Sequence, residues 1–179
     1  DMSLLIKGGT VVSATGAQPM DVLVEGETIT ALLLPGSEPA EAAERGAHEV
    51  LDAAGKLVVP GGVDAHTHME LPFGGTVASD DFETGTRAAA WGGTTTIIDF
   101  AVQAAGEDVR ERLDTWMAKA EGNCAVDYGF HMIIGGVDEG SLKAMDVLVD
   151  EGITSFKLFM AYPGVFLSDD GQILRAMQQ

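Results

Sequence analysis

From residue 57 onward, short apolar runs alternate with longer amphipathic stretches, and this rhythm restricts the fold more than any other feature. Residues 57–68, 94–100 (TTTIIDF), 125–134 and 153–161 (ITSFKLFMA) read as strands; the second is β-branched and apolar, as a buried strand is. Between them lie helical patterns. Asp80 or Asp81 caps one through Phe82, Thr86 and Ala89, stopped by Gly92-Gly93. A second, over 107–121, carries Val109, Leu113, Trp116 and Ala120 on one face, and a third, over 138–151, carries Leu142, Met145 and Val149. Asp169 begins a fourth. Short connections between such elements imply βαβ crossovers and a parallel sheet, either a small open sheet or the first half of an eight-stranded barrel.

Residues 3–55 read differently. Apolar runs at 4–6, 11–12, 22–24 and 29–34 are separated by Gly8-Gly9, Gly16 and Gly26, as in a meander or small sandwich. Residues 35–46 predict an exposed loop and 48–52 another short strand, with His48 a surface histidine. The expected division is therefore 1–55, the N-terminal part of a β-sandwich, and 56–179, strand–helix units.

The strand over 57–68 passes a Pro-Gly-Gly break and ends in His66 and His68. In extended backbone, residues two apart share a face, so both imidazoles and Asp64 point one way. Converging neutral imidazoles suit a divalent ion such as Zn²⁺. Alone, a His-x-His is more often a pair of histidines on a polar loop. Lys157 adds weight, flanked by Phe156, Leu158, Phe159 and Met160. One reading is a strand-end lysine whose head reaches water. In the other it is a buried amine that takes up CO₂ as a carbamate, whose two oxygens can bridge two cations. Catalytic groups of a barrel sit at the C-terminal strand ends, where His66, His68 and Lys157 fall, and this favours the barrel.

Composition narrows the function. With 28 acidic against 10 basic residues, the net charge is −18, which argues against nucleic acid and anionic membranes as partners. The single cysteine, Cys124, excludes an internal disulfide framework and a cysteine-based zinc site. No apolar run approaches a membrane span and no signal segment opens the chain, so a cytoplasmic location is expected.

The segments VDAHTHMELPFGGT, GGTTTIIDF and GITSFKLFMAY together resemble, in order and spacing, the dihydropyrimidinase and D-hydantoinase family of the amidohydrolase superfamily. The resemblance covers nearly the whole chain and implies a (β/α)₈ TIM-type barrel, with about its first four units here, preceded by part of a small β-sandwich. It implies that His66 and His68 bind the more buried of two divalent ions, most simply Zn²⁺. Lys157, as N6-carboxylysine, would bridge both ions. Tyr162 would hydrogen-bond the substrate and its developing oxyanion, and Leu71, Phe73, Phe159 and Phe166 would contact the ring substituent. For those four, ordinary packing is the plainer reading.

The implied reaction is hydrolysis of a cyclic amide, opening a dihydropyrimidine or hydantoin ring to an N-carbamoyl amino acid by a metal-bridging hydroxide. The family's general acid–base aspartate and further histidine ligands come from later strands, outside these residues. His131 is expected to serve as a core or supporting residue rather than a ligand, Asp64 to touch the metal shell or orient a histidine, and Asp99 to be structural. Dihydroorotases carry an arginine two residues after the second histidine; here that position is Glu70, which would repel an anionic ring. Allantoinase-type activity, and a non-catalytic fragment or assembly protein of the same fold, remain alternatives. By family analogy the whole protein is a homo-oligomer, a dimer or tetramer.

Overall fold

The structure is a computed structural model that describes residues 2–179. It divides into two compact units, Asp1–Pro60 and Gly61–Gln179.

The first unit is a mixed sheet. Its strands are β1 (Ser3–Ser13), β2 (Gly16–Glu25) and β3 (Thr28–Leu33), then, after helix α1 (Glu38–Gly46), β4 (Glu49–Asp52) and β5 (Leu57–Val58). The order is β3-β2-β1-β4, antiparallel among the first three; β4 and β5 run parallel to β1 on its other side. The Gly8-Gly9 pair does not divide two strands as expected. Strand β1 runs through it on a bulge, with Gly8 at φ 77° and its N–H donating to the buried Asp21 carboxylate at 2.8 Å. The loop expected over 35–46 is corrected to helix α1. Ser37 caps it by accepting from Ala40 N, proline occupies the first turn, and Glu38 and Arg45 sit at the ends that suit their charges. Ile29, Leu32, Val50 and Leu51 remain exposed on this sheet.

The second unit contains β6 (Gly62–Thr67), a small hairpin of β7 (Pro72–Phe73) and β8 (Thr76–Val77), and α2 (Phe82–Trp91). Strand β9 (Thr94–Gln103), α3 (Val109–Ala120), β10 (Asp127–Ile134), α4 (Glu139–Asp150), β11 (Phe156–Lys157) and α5 (Asp170–Gln178) complete it. The sheet order β11-β10-β9-β6 is all parallel and follows the chain without a reversal, the order a barrel needs and a doubly wound sheet breaks. Asp81, Asp108, Asp138 and Asp169 cap α2 to α5, each accepting from a backbone N–H of the first turn. Val109, Leu113, Trp116 and Ala120 are buried on α3 as the pattern requires.

Three further expectations need correction. The expected boundary after residue 55 falls after Pro60, because Leu57–Val58 pairs with β1 rather than opening the parallel sheet. The fourth strand, expected over 153–161, is reduced to Phe156–Lys157 plus a bridge from Phe159 to Leu167. On α4 the buried face is Leu142, Met145 and Leu148; Val149 points outward. Among the described residues no helix is long and apolar enough to cross a membrane.

Candidate metal centre

The C-terminal ends of the four parallel strands bring the separate motifs together. At the tip of β6 the two imidazoles converge, with His66 Nε2 and His68 Nε2 3.2 Å apart. Both rings rest on Phe100 of β9, at centroid distances of 4.7 and 4.9 Å. Lys157, from β11, reaches the same ring, its Nζ 4.4 Å from the Phe100 centroid and 4.8 Å from that of Phe159. His131 of β10 packs there too, 4.7 Å from Phe100. Residues some ninety positions apart thus surround one phenyl ring.

Two histidine nitrogens bound tetrahedrally to one zinc at about 2.0–2.1 Å lie about 3.3 Å apart, close to the observed separation. Burial, reinforced by the Lys157 ammonium and by His66, holds His68 below the ordinary imidazole range. It is therefore neutral at pH 7, with a lone pair free to bind a cation. The pair fits one divalent ion. It does not complete a shell: among the described residues no three His, Cys, Asp or Glu side chains gather as a metal site. An unmodified lysine supplies an ammonium, which repels metal, so Lys157 fits only as an amine or a carboxylated amine.

His131 is already engaged at both nitrogens. Its Nε2–H donates to the Ala65 carbonyl at 3.0 Å, and Nδ1 pairs with the Ser155 hydroxyl. It ties Ala65, the residue before His66, to Ser155, the residue before β11. Asp64 is exposed on β6 and its carboxylate accepts from His66 N at 3.1 Å, so it braces the histidine backbone.

A cavity of about 200 Å³ adjoins His68. His68, Leu71, Phe73, Ile133, Lys157, Phe159, Tyr162 and Phe166 line it. All five residues expected to meet substrate are there. Tyr162 stands edge-on to Phe73 and Phe159, at 5.2 and 5.6 Å. Its backbone has φ 65°, a left-handed conformation uncommon for tyrosine, and its carbonyl accepts from the N–H groups of Val165, Phe166 and Leu167. Those three bonds secure the turn.

Glu70 is where expectation and structure part. At φ 51° it turns into a different cavity, lined by Glu70, Asp81, Phe82, Glu83, Lys119 and Asn123. It does not face the Tyr162 cavity, so the selectivity argument built on its charge loses its basis. Phe100, Ile133 and Ser155 were not singled out from sequence; only the position of Phe100 one residue beyond Asp99, at the C-terminal half of a predicted strand, hinted at a place near the site.

Residues 57–168 match the model of the amidohydrolase family. The chain belongs to that family. This amidohydrolase chain is 64% identical to a D-hydantoinase of Streptomyces coelicolor over 175 residues, covering 98% of the chain and 37% of that protein. It is 43% identical to a dihydropyrimidinase of Rattus norvegicus over 180 residues, covering 98% of the chain and 34% of that relative. A crystal structure of a D-hydantoinase superposes on it with a TM-score of 0.89 at 45% identity, over 98% of the chain and 37% of that structure. The amidohydrolase chain thus spans little more than a third of the length of these relatives.

Proposed function

We propose that the full-length protein containing this chain hydrolyses a cyclic amide, opening a dihydropyrimidine or hydantoin ring to an N-carbamoyl amino acid. The observation that carries this reading is the meeting of His66, His68 and Lys157 around Phe100, beside a cavity that holds Tyr162. His66 and His68 would hold one of two divalent ions, most simply Zn²⁺, and Lys157, carboxylated by CO₂, would contact both. Bound there, the ions supply Lewis acidity and a nucleophile at neutral pH.

The chain's own residues do the rest of what this half of the site can do. The Tyr162 hydroxyl donates to the substrate carbonyl as negative charge gathers on its oxygen. Leu71, Phe73, Phe159 and Phe166 grip the ring substituent and keep water from it. These apolar walls, rather than Glu70, favour an uncharged ring. In the same reading the whole protein is a cytoplasmic homo-oligomer, a dimer or tetramer, and the (β/α)₈ barrel and β-sandwich are completed by its remaining length.

Metal analysis and turnover test the proposal together. The full-length protein should hold close to two divalent ions per subunit, and Lys157→Ala should lose at least one. Opening of dihydrouracil or a 5-substituted hydantoin should disappear in His66→Ala. Two ions retained in Lys157→Ala, or full turnover in His66→Ala, would refute it.

A further inference from the structure

Strand β6 does not hold its own tip by regular pairing. In the parallel ladder with β9, Asp64 pairs with Ile97 and Thr67 with Asp99, so three steps on one strand answer two on the other. Such an irregularity re-aims a side chain, here around His66, and interrupts the ladder of backbone bonds. The side chain of Asp99 takes over. Its Oδ2 accepts from Thr67 Oγ1 at 2.9 Å and from Met69 N at 2.8 Å, the residues on either side of His68. Its Oδ1 accepts from Phe100 N at 2.8 Å, and Phe100 is the ring beneath both imidazoles. Asp99 is fully buried, with 0% of its surface exposed.

We propose that Asp99 is a positioning residue that fixes His68 for metal binding by clamping Thr67 and Met69 while orienting Phe100; this rests on the metal-site reading above. A merely structural acceptor would need neither oxygen to reach both flanks of one histidine. Only a carboxylate presents acceptors alone at both ends. Asparagine in its place puts an NH₂ against an N–H donor whichever way it is turned.

The test uses the full-length protein with Zn²⁺ and Co²⁺ as probes. Asp99→Asn should weaken Zn²⁺ binding about 10–100-fold in chelator competition. It should also alter the visible spectrum of the Co²⁺-loaded protein, and speed amide exchange across residues 64–70 of the metal-free protein while leaving 127–134 unchanged. Thr67→Val removes one of the two links and should weaken Zn²⁺ binding less. Thr67→Ser restores the hydroxyl and should return the affinity to the starting value, a rescue that methyl packing alone would not give. If Asp99→Asn fails to fold, the Val and Ser pair decides. Unchanged affinity, cobalt spectrum and tip exchange in Asp99→Asn would overturn the proposal. If the unaltered protein takes up neither ion, the metal reading falls separately. Exchange at 64–70 then decides alone, faster exchange sustaining the clamp and unchanged exchange refuting it.

Discussion

Gln103 gives the sharpest stability prediction, because its hydrogen bonds can be counted. It ends β9 with 1% of its surface exposed, and its Oε1 accepts from Gly135 N at 2.8 Å and Gly136 N at 3.1 Å. Its Nε2 donates to the Glu107 carbonyl at 2.9 Å. In Gln103→Leu, Gly135 N keeps a partner, the Gln103 backbone carbonyl at 2.9 Å. Gly136 N and the Glu107 carbonyl lose theirs. Two orphaned groups at about 1–3 kcal/mol each cost roughly 2–6 kcal/mol. The apolar leucine recovers about 1–2 kcal/mol by burial. At the midpoints of these figures the net loss should be about 2.5 kcal/mol. Urea unfolding followed by tryptophan fluorescence measures it, since Trp116 is buried in the same core with 4% exposed. A loss below about 0.5 kcal/mol, within the range of ordinary surface substitutions, would refute the view that this amide joins β9 to the turn after β10.

Two further outcomes follow from neighbouring features. In Gly135→Ala the new methyl would overlap the Gln103 carbonyl oxygen and stand 3.2 Å from Phe166 Cδ1; because backbone must yield, unfolding should become easier by about 1–3 kcal/mol in the same urea assay. Cys124, the sole cysteine, has its thiol pushed up by burial and then by the Asp99 charge. Its alkylation by iodoacetamide at pH 8.5 should therefore be slower than that of an unstructured cysteine peptide. Because the folded value lies above the unfolded one, the stability linked to this thiol is intact below the unfolded value and is lost as pH rises through the folded one.

The parallel unit was legible because its signals are local and agree. Asp81, Asp108, Asp138 and Asp169 precede helices whose apolar faces recur at helical spacing, and TTTIIDF can hardly be anything but a buried strand. The meeting of His66, His68 and Lys157 could be anticipated because strand ends gather at one mouth of such a sheet. What stayed hidden depended on backbone irregularity or on partners distant in sequence. The helix over Glu38–Gly46 lay in a Pro- and Glu-rich stretch that resembles a loop in composition, although Ser37 and Pro39 already mark a helix start. Leu57–Val58 looks like the opening of the next strand until its partner in β1 is known. Glu70 has the right spacing to face substrate, but its left-handed φ turns it elsewhere, and no periodicity in the sequence encodes that angle.

The Phe100 side chain has no nitrogen, no oxygen and no charge, yet it underlies three imidazoles and an ammonium. A benzene ring cannot compete for their lone pairs or protons, so it sets where the ionisable groups stand while leaving their reactivity to be claimed from the open side. Anyone transplanting this cluster into another scaffold should install that inert floor before the ligands.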